Sequence, residues 1–180
     1  MAYPLLTERL SIQPLTMADL DDFVAYRQDP EIARFQSWDP TYSKQQGMEL
    51  IESQADVLIP APGQWLQLAV YGKTSGKLVG DLALHAIQGS NLEFEIGFTI
   101  SRNNQGQGFA TEATARLLTY LFLETGATKV IAQPDSRNTA SKRLLKTLGF
   151  ELDESKGWVE HFKGEEVRVD YFFLRNASRF

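Results

Sequence analysis

The stretch Gln105-Gly106-Gln107-Gly108-Phe109-Ala110 constrains this chain more than any other, because it joins a strand-like run at residues 92–100 to a long amphipathic helical pattern. Near-adjacent glycines at such a junction let the backbone approach an anion. The unpaired N–H groups of the helix's first turn, with the positive end of its dipole, point at that anion. The junction therefore predicts an α/β chain with a phosphate-binding turn. Two familiar versions of that turn do not fit. A dinucleotide site wants G-x-G-x-x-G, yet Thr111 stands where the third glycine belongs, no second βαβ unit follows, and no acidic strand end lies at the ribose distance. Gly72-Lys73-Thr74-Ser75-Gly76-Lys77 is one residue short of G-x-x-x-x-G-K, with Leu78 in place of the metal-binding hydroxyl, and reads as a hairpin turn.

Around this junction the hydrophobic period changes twice. Residues 9–15 alternate as a first strand, and Thr16 starts a helix whose backbone its hydroxyl can cap, with Asp19 and Asp21 in the first turn. Pro30 begins a short turn of helix, and Ser43 caps a longer helix running towards Pro60-Ala61-Pro62-Gly63. Residues 65–71 and 77–84 flank Thr74-Ser75-Gly76 as an antiparallel hairpin, which residues 92–100 extend. The junction helix then runs to about Glu124, followed by a strand at 129–133, a helix from Asn138 and two late strands near 151–162 and 167–174. No repeat or low-complexity linker interrupts the pattern, and residues 1–180 are expected to form one domain that buries roughly 70% of its unfolded surface.

The chain has no cysteine, which excludes disulfides, thiolate metal sites and a thiol nucleophile. No apolar run approaches a membrane span or a signal segment, so a cytoplasmic enzyme with no membrane partner is expected. A net charge of −5 disfavours nucleic acid, whose affinity rests on Lys and Arg neutralising phosphates, and suits a cationic or amine-bearing partner.

Gln105, Gly108 and Ala110 fill the fixed positions of Q/R-x-x-G-x-G/A, and Asn138 to Leu145, ending in Leu148-Gly149-Phe150, supplies a second ordered motif. On these residues the chain resembles the GCN5-related N-acetyltransferases (GNAT). Thr7-Glu8-Arg9-Leu10 and Ala110-Thr111-Glu112-Ala113 are similar to the RimJ/RimL-like branch, which acetylates ribosomal-protein N-termini. The resemblance spans about residues 5–175. It implies a mixed, mainly antiparallel central sheet with helices on both faces, acetyl-CoA as cosubstrate and no metal. It further implies an amine acceptor that is most simply a ribosomal or other protein N-terminus, and it leaves a homodimer open. The coenzyme-contacting residues it implies are Phe98, Thr99 and Ile100 on a strand that splays from its neighbour to pair with pantetheine, then Gln105, Gly106, Gln107, Gly108, Phe109 and Ala110, then Asn138, Ser141 and Arg143. The first helices form one wall of the acceptor groove in the resembled family, which brings in Phe35, Trp38 and Tyr42.

The residues carry their own chemical reading. A neutral amine attacks a thioester directly once held in line, so the main catalytic task is removing its proton. Glu93 and Glu95 share one face of a strand, about 7 Å apart, and Glu95 is the preferred base because it lies nearer Gly97, where a bulge or a close backbone approach is expected. His85 is an alternative base, and His161 a weaker one. The tyrosine that the family often places near the thiol has no counterpart on the Asn138 helix; Ser141 matches the serine of the RimJ/RimL-like branch, and the resemblance implies it as the hydrogen-bond partner of the departing thiolate, beside its reading as a plain polar residue on a helix wall. Asn138 is equally a good helix N-cap, and Lys142, Arg143 and Lys146 are equally expected from the helix dipole or as partners of the coenzyme's 3′-phosphate. Glu112 and Arg116, at i and i+4, read as a surface ion pair or a supporting contact. Two rivals stand beside a protein N-terminus as acceptor: a small amine such as a polyamine or aminoglycoside, and a noncatalytic acyl-CoA sensor.

Overall fold

The computed structural model describes residues 3–90 and 92–176. Eight strands form one sheet in the order β1 (Leu5–Leu6), β2 (Leu10–Pro14), β3 (Trp65–Gly72), β4 (Leu78–Ala86), β5 (Glu93–Ile100), β6 (Lys129–Ala132), β10 (Phe172–Arg175), β7 (Glu151–Leu152). Every neighbouring pair is antiparallel except β5 with β6, so the sheet is mixed and mainly antiparallel, as expected. The hairpin β8 (Trp158–Phe162) with β9 (Glu165–Val169) stands outside it as a second, two-stranded sheet.

Side-chain alternation along the strands sorts two cores onto the two faces. Leu66, Leu68, Leu82, Leu84, Phe94 and Ile96 pack beneath α4 (Phe109–Tyr120) and α5 (Thr139–Thr147), through Ala113, Leu117 and Leu145. The opposite face, through Ala69, meets α1 (Leu20–Arg27), α2 (Pro30–Ala33) and α3 (Lys44–Ser53), whose Phe23, Val24, Ile32 and Ile51 are buried.

That second face also buries charge. Asp81, 1% exposed, accepts hydrogen bonds from Tyr26 and Gln67, and Gln54 in turn accepts from the Gln67 backbone N–H at 2.7 Å. The Arg27 guanidinium lies 3.8 Å from Asp81, with its carbon centre 4.1 Å from the Phe23 ring centroid and 3.7 Å from that of Trp38. Burial pushes the Asp81 carboxyl above its ordinary range, against opposing pulls from Arg27, Tyr26 and Gln67.

Several boundaries differ from the sequence reading. The late region holds four strands, not two, because turns at Glu154-Ser155 and Lys163-Gly164 and a break at Asp170-Tyr171 cut the apolar runs. The helix that Ser43 caps ends at Ser53, well short of the prolines. Thr16 caps a 3-10 turn, and helix proper starts at Leu20; Thr16 and Asp19 form a capping box, in which the Thr16 N–H and hydroxyl also donate to the Asp19 carboxylate at 2.8 Å. The α-helical part of the junction helix stops at Tyr120, and one wide turn carries the chain from Leu121 to Thr125 before Gly126, at φ 75°, ends it. Gly97 makes no bulge: it pairs in register with Ala83, and the close approach falls at Gly80, where an added Cβ would meet the Thr99 carbonyl oxygen at 2.1 Å.

Candidate active site

β5 and β6 pair over three residues only, Glu93 with Lys129, Phe94 with Val130 and Glu95 with Ile131. Beyond Glu95 the strand continues to Ile100 with β4 as its one partner. The two parallel strands thus part in a V whose vertex is Glu95. One arm leaves a row of backbone N–H and C=O groups without a sheet neighbour, a ready edge for an extended polar chain.

A cavity of about 660 Å³ is lined on one side by Phe98, Thr99 and Ile100 of that arm and on the other by Asn138, Ala140, Ser141, Arg143, Leu144 and Thr147. Its floor is the junction turn with Gln105, Gly106, Gly108, Phe109, Ala110 and Thr111, and its rim is α2 with Glu31, Ile32, Phe35 and Gln36. Gln107, Glu95 and Trp38 are not among the lining residues. Phe35 was expected at this wall; Glu31, Ile32, Gln36 and Arg102 lacked any sequence signal, because their places depend on contacts over long sequence separations: Arg102 reaches Asp29 through a forked pair of hydrogen bonds.

The junction turn is shaped for an anion. Gly106 and Gly108 sit at φ 75° and 80°, conformations that a side chain strains, and no side chain caps α4, which begins at Gly108. An added Cβ at Gly106 would meet nothing within 4 Å, so the backbone there is open to a ligand. The Gln105 amide donates to the Ile100 carbonyl at 2.9 Å and ties the turn to the end of β5. Beneath the turn, Glu112 receives hydrogen bonds from the Thr7 hydroxyl at 2.5 Å and the Arg9 backbone at 3.0 Å, and ion-pairs with the Arg9 guanidinium at 2.6 Å. Arg9 also donates to the Gln107 carbonyl at 2.9 Å and lies over the Phe109 ring. The two short motifs at Thr7–Leu10 and Ala110–Ala113 are therefore one brace. Glu112 does not pair with Arg116 as its spacing suggested; Arg116 reaches Glu124 at 3.5 Å instead. Burial raises the Glu112 carboxyl, but the hydrogen bonds and charge from Thr7 and Arg9 outweigh it and leave its pKa lowered.

On α5 the Asn138 side chain accepts from the Ser141 N–H at 3.1 Å, so it is the N-cap as well as a cavity residue. The Ser141 hydroxyl has no protein partner among the described residues and faces the cavity, free to donate. Lys142 turns away to Asp170 at 2.7 Å, which leaves Arg143 as the α5 cation at the cavity wall.

At the vertex, burial pushes the Glu95 carboxyl up, against smaller opposing effects from His85, whose Nδ1 lies 3.4 Å from it. Glu93, the other carboxylate on that face, is ion-paired with Lys129 at 2.5 Å. A carboxylate with a raised pKa is a stronger base at neutral pH. Of the aromatics expected at the acceptor wall, Phe35 reaches the cavity, Trp38 stacks on Arg27 and donates to its carbonyl at 3.1 Å, and Tyr42 is buried in the second core. Lys163 at the β8–β9 turn donates to the Ala33 carbonyl at 2.7 Å and also to that of Trp38, and so holds the hairpin against this wall.

Residues 9–151 match the family model described as an acetyltransferase (GNAT) domain. The chain belongs to the GNAT acetyltransferases. It is an acetyl-CoA-dependent N-acetyltransferase, and the glycine turn and splayed strands fit a coenzyme whose polar arm and phosphates need those two features. An uncharacterized N-acetyltransferase from Bacillus licheniformis, p20, is 29% identical over 170 residues, 94% of each chain. Among solved structures, the spermidine N-acetyltransferase of Vibrio cholerae in complex with CoA and spermine superposes with a TM-score of 0.81 at 20% identity, covering 95% of this chain and 98% of that one. A second Vibrio cholerae protein, provisionally named a ribosomal-protein-serine acetyltransferase, gives 0.78 at 21% identity over 96% and 99%. At such identities the likeness is one of fold. Among the described residues no group of three or more His, Cys, Asp or Glu side chains is gathered to hold a metal ion, and no helix is long and apolar enough to cross a membrane.

Proposed function

We propose that the chain acetylates a protein N-terminal α-amino group, with Glu95 as general base and Ser141 as hydrogen-bond donor to the departing thiolate. The observation that carries the choice of acceptor is the state of the carboxylates at the vertex. Glu95 stands against His85 and Glu93 is neutralised by Lys129, so this face offers little unpaired negative charge to hold a polycation. A single ammonium group on a peptide end suits it better. An α-amino group, with an ordinary pKa near 8, also yields its proton to a carboxylate far more readily than the alkylamines of a polyamine, whose pKa is about two units higher.

In this reading the backbone of Phe98–Ile100 aligns the pantetheine arm, the N–H groups of Gly106–Ala110 hold the pyrophosphate, and Arg143 meets a further phosphate. Asn138 fixes the start of α5 and with it the Ser141 hydroxyl. Glu95 takes a proton from the ammonium, the freed amine attacks the carbonyl carbon, and the Ser141 hydroxyl stabilises negative charge as it develops on sulfur. Phe35, which lines the cavity, meets the acceptor, and Trp38 supports that wall from behind through Arg27. The likeness of Thr7–Leu10 and Ala110–Ala113 to the ribosomal-protein acetyltransferases supports the same acceptor class.

Thiol release from acetyl-CoA, measured with N-terminal peptides, polyamines and aminoglycosides at equal concentration, tests the proposal. Peptides with free α-amines are expected to give the highest kcat/KM. Faster turnover of spermine or an aminoglycoside would overturn the acceptor assignment, and tight coenzyme binding without turnover of any amine would make the protein a sensor.

A further inference from the structure

Acetylating an ammonium group strips two protons from nitrogen: one ends on the coenzyme thiol, and the other must leave the site. We propose that His85 receives that second proton from Glu95 and passes it to solvent, so that Glu95, His85 and the Trp65 stack form an exit relay across the sheet. The inference rests on the N-acetyltransferase reading with Glu95 as base.

Three observations place the relay. His85 lies directly opposite Glu95 across β4 and β5, with Nδ1 3.4 Å from the carboxylate. That nitrogen is buried and has no hydrogen-bond partner, an uncommon state for a polar atom and the one required of a proton acceptor waiting for a donor. Trp65, opposite His85 on β3, stacks on the imidazole at 4.6 Å between ring centroids and 11° between planes. The stack holds the imidazole plane, and a shift of a few tenths of an ångström by the Glu95 carboxylate closes the gap to hydrogen-bond length. Nδ1 is buried while the side chain as a whole is 21% exposed, so the side chain reaches solvent elsewhere than at Nδ1. The row Glu95–His85–Trp65 runs from the vertex towards β3, away from β6 and the cavity, so the proton departs on the side opposite the coenzyme. Among the described residues Glu95 is the titratable group that faces His85 from β5, and β3 presents the non-titrating indole; Glu93 is held by Lys129.

The protons balance. Glu95 carboxylate takes one proton from the ammonium and becomes the acid; the acid gives it to Nδ1 and returns to carboxylate. The imidazolium turns about its Cβ–Cγ bond, Nδ1–H gives its proton to water on the exposed side, and the ring turns back with Nε2–H unchanged, ready for the next proton. Imidazole, which can accept and donate protons through its ring nitrogens, serves both steps.

The test is chemical rescue in the full-length protein. His85→Ala is expected to lower kcat about 10-fold or more at neutral pH with coenzyme affinity unchanged, and added imidazole should restore a large part of the rate, whereas Glu95→Gln should gain nothing from imidazole. A His85→Ala rate equal to wild type, or a loss that imidazole does not restore, overturns the relay. Should His85→Ala not fold, His85→Asn serves instead: a loss at neutral pH that recovers at high pH supports the relay, and a loss equal at every pH overturns it. Absence of turnover in the wild type with every amine would overturn the transferase reading itself, a result distinct from an active wild type with an unaffected His85 variant.

Discussion

Arg27→Met removes the cation from the most deeply buried charge pair of the fold and leaves Asp81 alone among Tyr26, Gln67 and the second core. At 3.8 Å and an effective dielectric of about 20, the lost attraction is about 4 kcal/mol. Methionine refills much of the space between Phe23 and Trp38, so the lost cation–aromatic contacts add only about 1 kcal/mol. The expected cost near neutral pH is about 3–5 kcal/mol, the range for breaking a buried pair by removing one partner. Its pH dependence follows from Asp81. The folded-state pKa is already raised above the unfolded value, chiefly by burial, so the folded protein holds its proton to higher pH than the unfolded chain. Stability therefore falls as pH rises from about 4 through the folded pKa. Without Arg27 that pKa climbs further and the fall continues to higher pH, at up to about 1.4 kcal/mol per pH unit. Urea unfolding followed by tryptophan fluorescence should show a smaller deficit at pH 4.5 than at pH 7.5, because protonation of Asp81 removes the charge that Arg27 balances. Equal deficits at both pH values, or a variant as stable as wild type, would refute the assignment of Arg27 as the counter-charge of Asp81.

Gly108→Val should weaken coenzyme binding at least ~10-fold, about 1.4 kcal/mol by calorimetry, because the position is at φ 80° and a β-branched side chain blocks approach to the turn; unchanged affinity would count against phosphate binding there. Ser141→Ala should lower kcat while coenzyme affinity stays at the wild-type value, since its hydroxyl acts once charge develops on sulfur; a folded variant with full turnover makes Ser141 a plain helix residue. Glu112→Gln should cost about 1–3 kcal/mol at neutral pH by loosening Thr7 and Arg9. Because the pKa of Glu112 is lowered in the fold, its contribution is present above the unfolded pKa near 4.3 and is lost as pH falls through the folded value, so the stabilities of wild type and variant should converge in acid.

The parts of the fold that local chemistry decides were legible in the residues. Alternation of Phe94 and Ile96 against Glu93 and Glu95 placed β5, the Gly106–Gly108 spacing placed the anion turn, and Asn138 with Gly149 bounded α5. What local patterns do not encode was missed or misread. Glu112 had an i+4 arginine in sequence, yet its partners are Thr7 and Arg9 more than a hundred residues away. Asp81 sits in an apolar strand and gives no sign that Tyr26, Arg27 and Gln67 converge on it. The opening between β5 and β6 was attributed to Gly97, but it arises where pairing with β6 stops after Glu95, a matter of strand topology and not of a residue's backbone freedom. The α2 rim of the cavity lies where it does through contacts that only the assembled chain makes, Asp29 with Arg102 and Ala33 with Lys163.

Catalysis by this site turns on the carboxylate at the vertex of the splayed strands taking the proton from the acceptor amine. The pH dependence of kcat/KM for Glu95→Gln, with acetyl-CoA and a peptide bearing a free α-amine, tests this. The variant should lose roughly 10²-fold or more near neutral pH and recover part of that loss at high pH, where more of the amine is already neutral. A loss equally large at every pH would assign Glu95 to holding a cation, and no loss would contradict the claim outright.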